Sequence, residues 1–347
     1  MSESAARADL TVERVIIDGV TTRVTRITAG AGGDLDLDGD GRRDAEDGGA
    51  SAGSRGRAFV LVPGVGVAAT YFEFLAPALA EHGDVYALDL PGFAGLPRPE
   101  EQPTAAFFAR HVAGVLDRYD LTDPVLIGHS MGTQVVAEVL ALRPGLSHAV
   151  LVSPVINEAE ASAPVQAVRF AQSAVRETPH LAVTALSAYI LCGVVYFLTV
   201  LPHLLRYRLS ERIGLGEAAL LLIRGELDRT SPRRFHSRLA REAKDARTWE
   251  IEEAAHSIIN AHAIGVAELT VRHVEGTLPR RGRMAARDAE VPPARHADLS
   301  MLLGATGSRI AEWVSALRGD ERGIARAKAE HAKILWRAYA AGPRRRR

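Results

Sequence analysis

Short apolar runs alternate with amphipathic helical patterns through most of this chain. Each run is bounded by glycine, proline or polar residues and is shorter than an ordinary helix, which is typical of a buried strand. Patterns with helical period lie between the runs, as at 71–82 and 104–119. This alternation predicts an α/β protein, with a mostly parallel twisted sheet that helices cover on both faces. The runs that predict buried strands lie within 58–66, 84–92, 125–127, 148–154, 220–228 and 248–251.

The N-terminal part has a different pattern. Residues 12–28 contain two β-branched runs that Asp18-Gly19 separates, and Asp-Gly between such runs predicts a β-hairpin. Residues 30–56 follow and are almost free of large apolar side chains, so we expect an acidic insertion on the surface.

A twelve-residue stretch of this insertion has the spacing of a calcium loop. Its carboxylates occupy positions 1, 3, 5, 9 and 12, with glycine at position 6. No amphipathic helix precedes it, and Arg43 stands where such loops carry an apolar residue. We therefore favour a flexible acidic linker, with a calcium site as the alternative. The ligands of that site would be Asp36, Asp38, Asp40, Asp44 and Asp47.

The strongest motif is Gly128-His129-Ser130-Met131-Gly132, which follows the apolar run 125–127 and precedes a helical pattern. This context predicts a sharp strand-to-helix turn with Ser130 at its apex. The turn needs glycines because the serine backbone is strained and the neighbouring chain passes close by. The helix N-terminus would face any negative charge that develops beside the serine hydroxyl.

Two further residues complete a constellation for nucleophilic catalysis. Asp228 and His256 each follow a predicted strand, and the carboxyl ends of parallel strands meet at one edge of the sheet. A serine hydroxyl needs a base, and the base needs a third group that fixes its tautomer. Ser130, His256 and Asp228 can take these three roles, although each residue alone is more often a turn residue, a surface histidine or a helix cap.

Other residues are alternatives for the same roles. Glu226 is the alternative acid, and Ser257 and His262 are weaker alternatives because neither ends a strand. We expect His129 to be a packing residue.

The chain resembles the α/β-hydrolase superfamily over residues 12–276. The motifs that carry the resemblance are Pro63-Gly64-Val65-Gly66, Asp89-Leu90-Pro91-Gly92, Gly128-His129-Ser130-Met131-Gly132, Arg224-Gly225-Glu226-Leu227-Asp228 and Ala255-His256-Ser257. The resemblance implies that Ser130 is the nucleophile, His256 the general acid and base, and Asp228 its partner. It also implies an oxyanion hole formed by the backbone N–H groups of Val65 and Met131. The family often has histidine at the position of Pro63, a change that we expect to be tolerated because the donor is a later backbone amide.

The α/β alternation stops within residues 155–215, where the superfamily commonly inserts a helical cap. No Asp, Glu, Lys or Arg occurs from Thr178 to Leu205, which approaches the length of about 20 residues that spans a bilayer. A single span there would place Ser130 and Asp228 on opposite sides of the membrane, so spanning and catalysis exclude each other. We expect an apolar cap over the pocket, with peripheral membrane contact that a lipid-flotation assay would test. Ordinary core packing is the alternative.

The C-terminal part is basic. From Thr277 onward there are 16 Lys and Arg against 7 Asp and Glu, a balance of +9, so residues 1–276 carry −9. The polar pattern predicts a linker over 277–296, helices over 297–341 that the segment 304–307 would interrupt, and a basic tail over 342–347. The helices could dock on the rest of the chain or pair with another chain.

Composition narrows the remaining possibilities. The 347 residues carry 42 basic and 42 acidic side chains, which gives no overall attraction to nucleic acid. The single cysteine, Cys192, excludes an intramolecular disulfide and a cysteine-based zinc site. The N-terminal residues lack an apolar signal segment, so we expect a cytoplasmic location. No cofactor or metal is required by the expected chemistry.

These observations predict a serine hydrolase that cleaves a carboxylic ester or thioester of an apolar acyl group through an acyl-enzyme on Ser130. C–C bond hydrolysis, acyl transfer and cofactor-free peroxidase chemistry use the same three residues and stay open. A non-catalytic binding or membrane-associated protein with the same fold is the alternative from another class. The acyl group, the leaving group and the oligomeric state are not determined by the sequence.

Overall fold

The computed structural model describes residues 10–28, 57–175, 189, 192–291 and 299–339. The acidic insertion 30–56, with Asp36–Asp47, therefore lies outside the described residues, as does the basic tail 342–347.

Nine strands of the described chain form one sheet in the order β1-β2-β4-β3-β5-β6-β7-β8-β9. The pairs β1–β2 and β2–β4 are antiparallel, and every later pair is parallel. The strands are β1 (Leu10–Ile17), β2 (Val20–Ile27), β3 (Phe59–Val62), β4 (Val85–Asp89), β5 (Val125–His129), β6 (His148–Val152), β7 (Ala219–Gly225), β8 (Ala246–Ile251) and β9 (Arg281–Met284).

Helices cover both faces of the sheet, as predicted. Alternate residues of a strand point to opposite faces, so Val60 and Val62 enter one apolar core while Phe59 and Leu61 enter the other. The α-helices are α1 (Leu75–Ala80), α2 (Ala105–Arg118), α3 (Gly132–Leu142), α4 (Ala163–Ala174), α5 (Val194–Arg206), α6 (Leu209–Arg212), α7 (Arg233–Glu242), α8 (Ile258–Ala261), α9 (Ala263–Val274), α10 (Ala286–Ala289), α11 (Leu299–Arg318) and α12 (Glu321–Tyr339), and 3₁₀ helices lie at Ala69–Phe72 and Glu158–Glu160.

The predicted hairpin is confirmed, and its turn explains the Asp-Gly pair. Asp18 and Gly19 both have positive φ, at 50° and 78°, as a two-residue hairpin turn requires.

The helix predicted over 71–82 is shorter than expected. A 3₁₀ helix occupies Ala69–Phe72, and α1 begins only at Leu75. Pro77 is the physical reason, because it has no N–H to donate back to residue 73 and fits only the first turn of a helix.

The linker predicted over 277–296 is partly wrong. Residues Arg281–Met284 form β9, which pairs with β8 at the sheet edge, and α10 follows with Ala289 fully buried. Backbone hydrogen bonds can hold an edge strand that has no apolar side-chain pattern. The exposed arginines of β9 therefore gave no strand signal in the sequence.

The interruption predicted at 304–307 is also wrong, because α11 runs unbroken from Leu299 to Arg318. A Cβ on Gly304 would lie 3.2 Å from Ile334 Cδ1, so the small residue allows α11 and α12 to pack closely. The pair docks on the sheet domain, where Glu321 binds Arg23 and Ala316 packs against Gly95.

The region predicted as a cap contributes α4, α5 and α6. Helix α5 buries Tyr196 and Val200 on one face and leaves Val194, Val195 and Leu198 exposed. Among the described residues, no helix combines the length and the apolar character needed to cross a membrane. Contact of this face with lipid stays a prediction.

Candidate active site

Ser130 lies at the apex of the turn between β5 and α3. Its φ is 54°, a left-handed conformation that costs energy in any residue other than glycine and that the surrounding hydrogen bonds maintain. The Ser130 N–H donates to Val152 O at 3.0 Å, and the Ser130 carbonyl accepts the amide and hydroxyl of Thr133.

The two motif glycines are needed because other backbone passes where a side chain would be. A Cβ on Gly132 would collide with the Val62 carbonyl oxygen of β3, and a Cβ on Gly128 would collide with the Gly132 carbonyl. The first turn of α3 can therefore cross the strand ends only without side chains at these positions.

The loop that follows β3 passes directly beside the serine. A Cβ on Gly64 would lie 3.2 Å from Ser130 Cβ, so the adjoining Val65 amide belongs to the same small region. Met131 immediately precedes α3. Within the described residues, neither the Val65 nor the Met131 amide donates to another protein group, which leaves both available for a ligand oxygen.

Asp228 and His256 form a buried hydrogen-bonded pair. His256 Nδ1 lies 2.9 Å from Asp228 Oδ2. The other carboxylate oxygen, Oδ1, accepts the Thr230 amide at 2.9 Å, the Thr230 hydroxyl at 2.7 Å and the Ser231 amide at 3.1 Å. Burial alone would raise the pKa of Asp228, but His256 and these donors outweigh it and hold the pKa below its usual range. Asp228 is therefore a carboxylate at neutral pH.

Thr230 and Arg224 are residues of this site that the sequence analysis missed. Thr230 Oγ1 donates to Asp228 and lies 2.8 Å from His256 Nδ1, so its lone pair accepts part of the same N–H. The Arg224 guanidinium donates to the carbonyls of Ser231 at 2.8 Å and Asp228 at 3.1 Å, which holds the loop after β7. The hydroxyl pair directly after Asp228 was a visible signal for Thr230, whereas the role of Arg224 depends on the folded loop.

His129 connects the serine turn to His256. Its ring centroid lies 5.0 Å from that of His256, and its Nε2–H donates to the His256 carbonyl at 3.2 Å. Burial and the neighbouring His256 lower the pKa of His129 to about 3, so it is neutral near pH 7. Ser153 Oγ donates to the same carbonyl at 2.8 Å, and together these bonds fix the backbone of residue 256 against β5 and β6.

The alternative residues lie elsewhere. The Glu226 carboxylate accepts the Glu253 amide at 3.1 Å and pairs with Arg283 at 2.6 Å, away from His256. Ser257 Oγ accepts the Tyr71 hydroxyl, and His262 faces Glu290 at 3.9 Å. The acid paired with His256 is Asp228.

Residues of the cap cover the loop that carries Val65. A Cβ on Gly66 would lie 3.0 Å from Tyr189 Cδ1 and 3.5 Å from Cys192 Sγ. Tyr196 of α5 donates its hydroxyl to Pro91 O at 3.0 Å, which ties the cap to the loop after β4. The side of the site opposite the sheet is thus aromatic and apolar.

In the described part of the chain, no group of three His, Cys, Asp or Glu side chains is placed so that it could hold a metal ion. The acidic loop Asp36–Asp47 lies outside that part.

The sequence of this chain matches a known protein family over the region that contains Ser130, Asp228 and His256. A model of the alpha/beta hydrolase family matches residues 59–269, more than half of the chain. The chain belongs to the α/β-hydrolase family. The match contains β3 to β8 and the residues Ser130, Asp228 and His256, and it excludes α11 and α12. The predicted superfamily and fold class are therefore confirmed.

Solved structures show the same fold for this α/β hydrolase. A bacterial membrane phospholipase A matches with a TM-score of 0.59 and 17% identity, over 77% of this chain and 86% of that one. The esterase RhEst1 of Rhodococcus sp. ECU1013 matches with a TM-score of 0.55 and 19% identity, over 78% and 99%. A 2-hydroxy-6-oxo-6-phenylhexa-2,4-dienoate hydrolase of Rhodococcus sp. RHA1 matches with a TM-score of 0.57 and 15% identity, over 77% and 99%.

One curated relative matches a limited segment of this α/β hydrolase. The acetyltransferase component of the acetoin cleaving system of Pseudomonas putida is 36% identical over 92 residues, which span 26% of this chain and 25% of that protein.

Proposed function

We propose that this α/β hydrolase is a serine hydrolase that cleaves carboxylic esters or thioesters of an apolar acyl group through an acyl-enzyme on Ser130. The observation that carries the proposal is the buried Asp228–His256 pair, with Nδ1 and Oδ2 2.9 Å apart, at the sheet edge where Ser130 is held with a φ of 54°. A strained serine, a histidine and an ionised carboxylate at one edge are the groups that acyl transfer requires.

The hydrogen bonds of His256 support one direction for the proposed proton transfers. Asp228 and Thr230 accept the His256 Nδ1–H, so Nε2 carries the lone pair that takes the Ser130 hydroxyl proton during attack on the acyl carbon. His256 then returns this proton to the leaving alcohol or thiol as the C–O or C–S bond breaks. A water molecule, deprotonated by His256, attacks the acyl carbon. The bond between that carbon and Ser130 Oγ then breaks, His256 returns the proton to Ser130 Oγ, and the carboxylic acid leaves.

The negative charge of each tetrahedral intermediate would fall beside the Val65 and Met131 amides. Both amides lie next to the serine and lack a described protein partner, so they can donate to the oxyanion without breaking existing hydrogen bonds. Each such donor lowers the barrier by about 3–4 kcal/mol in comparable enzymes.

The nature of the cap supports an apolar acyl group. Tyr189 packs over the Val65 loop and its ring lies 5.5 Å from that of Phe197. Transfer of an acyl chain from water to an aromatic surface of this kind is favourable in free energy. A charged substrate would gain little from the same surface.

Fluorophosphonate labelling and ester turnover test the proposal together. We expect one label per full-length chain, located on Ser130, and kcat/KM for p-nitrophenyl esters that rises by up to about fourfold per added methylene until the pocket is filled. Intact-mass spectrometry and a series from acetate to laurate provide the measurement. A maximum at acetate would contradict the apolar pocket, and an unlabelled, inactive chain would favour the non-catalytic interpretation.

A further inference from the structure

The 3₁₀ helix Ala69–Phe72 lies between the loop that carries the Val65 amide and α1, and a buried carboxylate holds each of its ends. Asp89, at the end of β4, accepts the Ala69 amide at 2.5 Å and is fully buried. Glu73 follows the last residue of the 3₁₀ helix, with its side chain only 5% exposed. The position of this short element therefore depends on what neutralises these two carboxylates.

The C-terminal helices supply hydrogen-bond donors to both carboxylates, and two of these donors, Arg309 and Lys328, are cations. Arg309 of α11 binds Glu73 Oε2 at 2.5 Å, and His331 of α12 places Nε2 2.9 Å from the same oxygen. Lys328 of α12 lies 3.4 Å from Asp89 Oδ2. The hydrolase domain contributes Arg23, which binds Asp89 at 2.9 Å and also Glu321 of α12 at 2.7 Å.

Contacts on both ring nitrogens hold His331 in place. Burial and the nearby Arg309 keep the pKa of His331 below its usual value despite the Glu73 carboxylate. The Glu73 carboxylate can only accept, so His331 Nε2–H donates to it at 2.9 Å. His331 Nδ1 lies 2.9 Å from Ser308 Oγ, whose hydroxyl donates to the Ala305 carbonyl at 2.8 Å. Glu73 then has two donors from the C-terminal pair, each fixed by a further contact.

The same 3₁₀ helix touches the loop of His256. The Tyr71 hydroxyl donates to Ser257 Oγ at 2.5 Å, and the Tyr71 ring centroid lies 5.7 Å from that of His129. Asn260, on α8, donates to Glu73 Oε1 at 3.0 Å. One carboxylate thus joins the C-terminal pair to the segment that begins with His256.

We propose that α11 and α12 form a clamp that positions the Val65 loop and His256 for catalysis, with Glu73, Arg309 and His331 as positioning residues. The inference rests on the proposed serine hydrolase function. It assigns a role in turnover to a helical pair that the family match does not include.

The test compares Glu73→Gln, Arg309→Met and the double variant, all in the full chain and assayed well below each Tm. Each single change should lower kcat and the fluorophosphonate labelling rate about 3- to 30-fold with little change in KM, because no substrate contact is removed. The kcat of the double variant should lie within about twofold of the kcat of the less active single variant, because both changes break the same Glu73–Arg309 ion pair. Arg322→Gln, at an exposed position of α12, is the matched control and should retain wild-type kcat.

Tyr71→Phe provides a second test of the clamp if the Glu73 variants do not fold. It removes the hydroxyl that reaches Ser257 and keeps the ring, so kcat should fall severalfold at nearly unchanged Tm. Variants that lower Tm but keep wild-type kcat and labelling rate would overturn the clamp, as would additive losses in the double variant. An unlabelled, inactive wild-type chain would instead overturn the proposed function.

Discussion

Replacement of Ser130 by alanine should abolish fluorophosphonate labelling and lower kcat for a p-nitrophenyl ester by about 10⁶-fold. No covalent intermediate can form without the hydroxyl, and only binding and the oxyanion donors remain to accelerate hydrolysis. The fold should persist, since alanine meets the same conformational cost at a φ of 54° as serine does. Intact mass, kcat and Tm are the measurements.

Ser162→Ala is the matched control for this result. Ser162 is exposed and its side chain makes no capping hydrogen bond to α4, so the variant should label and turn over like the wild type. Stoichiometric labelling of the Ser130→Ala chain would show that another residue is the nucleophile.

The change Asp228→Asn should lower kcat about 10⁴-fold with the fold intact. Three donors from Thr230 and Ser231 converge on Oδ1, so the new amide must place its oxygen there and its NH₂ group opposite His256. His256 Nδ1 must then accept a hydrogen bond, which moves the ring proton to Nε2. In that tautomer His256 cannot take the Ser130 proton.

Glu226→Gln makes the same chemical change two residues earlier and serves as the control. Glu226 contacts Glu253 and Arg283 rather than His256, so kcat should stay within about twofold of the wild type. A large loss of kcat in Glu226→Gln, together with normal kcat in Asp228→Asn, would show that Glu226 and not Asp228 is the acid that acts on His256.

The charge asymmetry along the chain acquires a physical explanation in the folded protein. The sequence shows an acidic first part and a basic C-terminal part. The structure brings cations of the second, Arg309 and Lys328, onto buried carboxylates of the first, Glu73 and Asp89. Removing one partner from such a pair leaves a buried charge, which commonly costs about 3–5 kcal/mol of folding free energy. The pairs therefore specify how the C-terminal helices dock.

Sequence patterns were reliable where the relevant physics is local. Strand runs, the Asp18-Gly19 turn and the strained turn at Ser130 all follow from the conformational preferences of neighbouring residues. They failed where local signals were weak, as at β9, which backbone pairing holds at an edge, and at Gly304, where close helix packing outweighs the low helix propensity of glycine.

The sequence by itself determined the fold class and the order of Ser130, Asp228 and His256 at strand ends, because apolar periodicity and glycine spacing depend on residues close together in the chain. Only the tertiary structure decided that Thr230 shares the His256 proton, that Arg224 holds the loop of Asp228, and that contacts of Glu73 connect α11 and α12 to the candidate site. These contacts join residues from different elements, some more than 230 positions apart, and their existence depends on how buried charges are paired once the chain has folded.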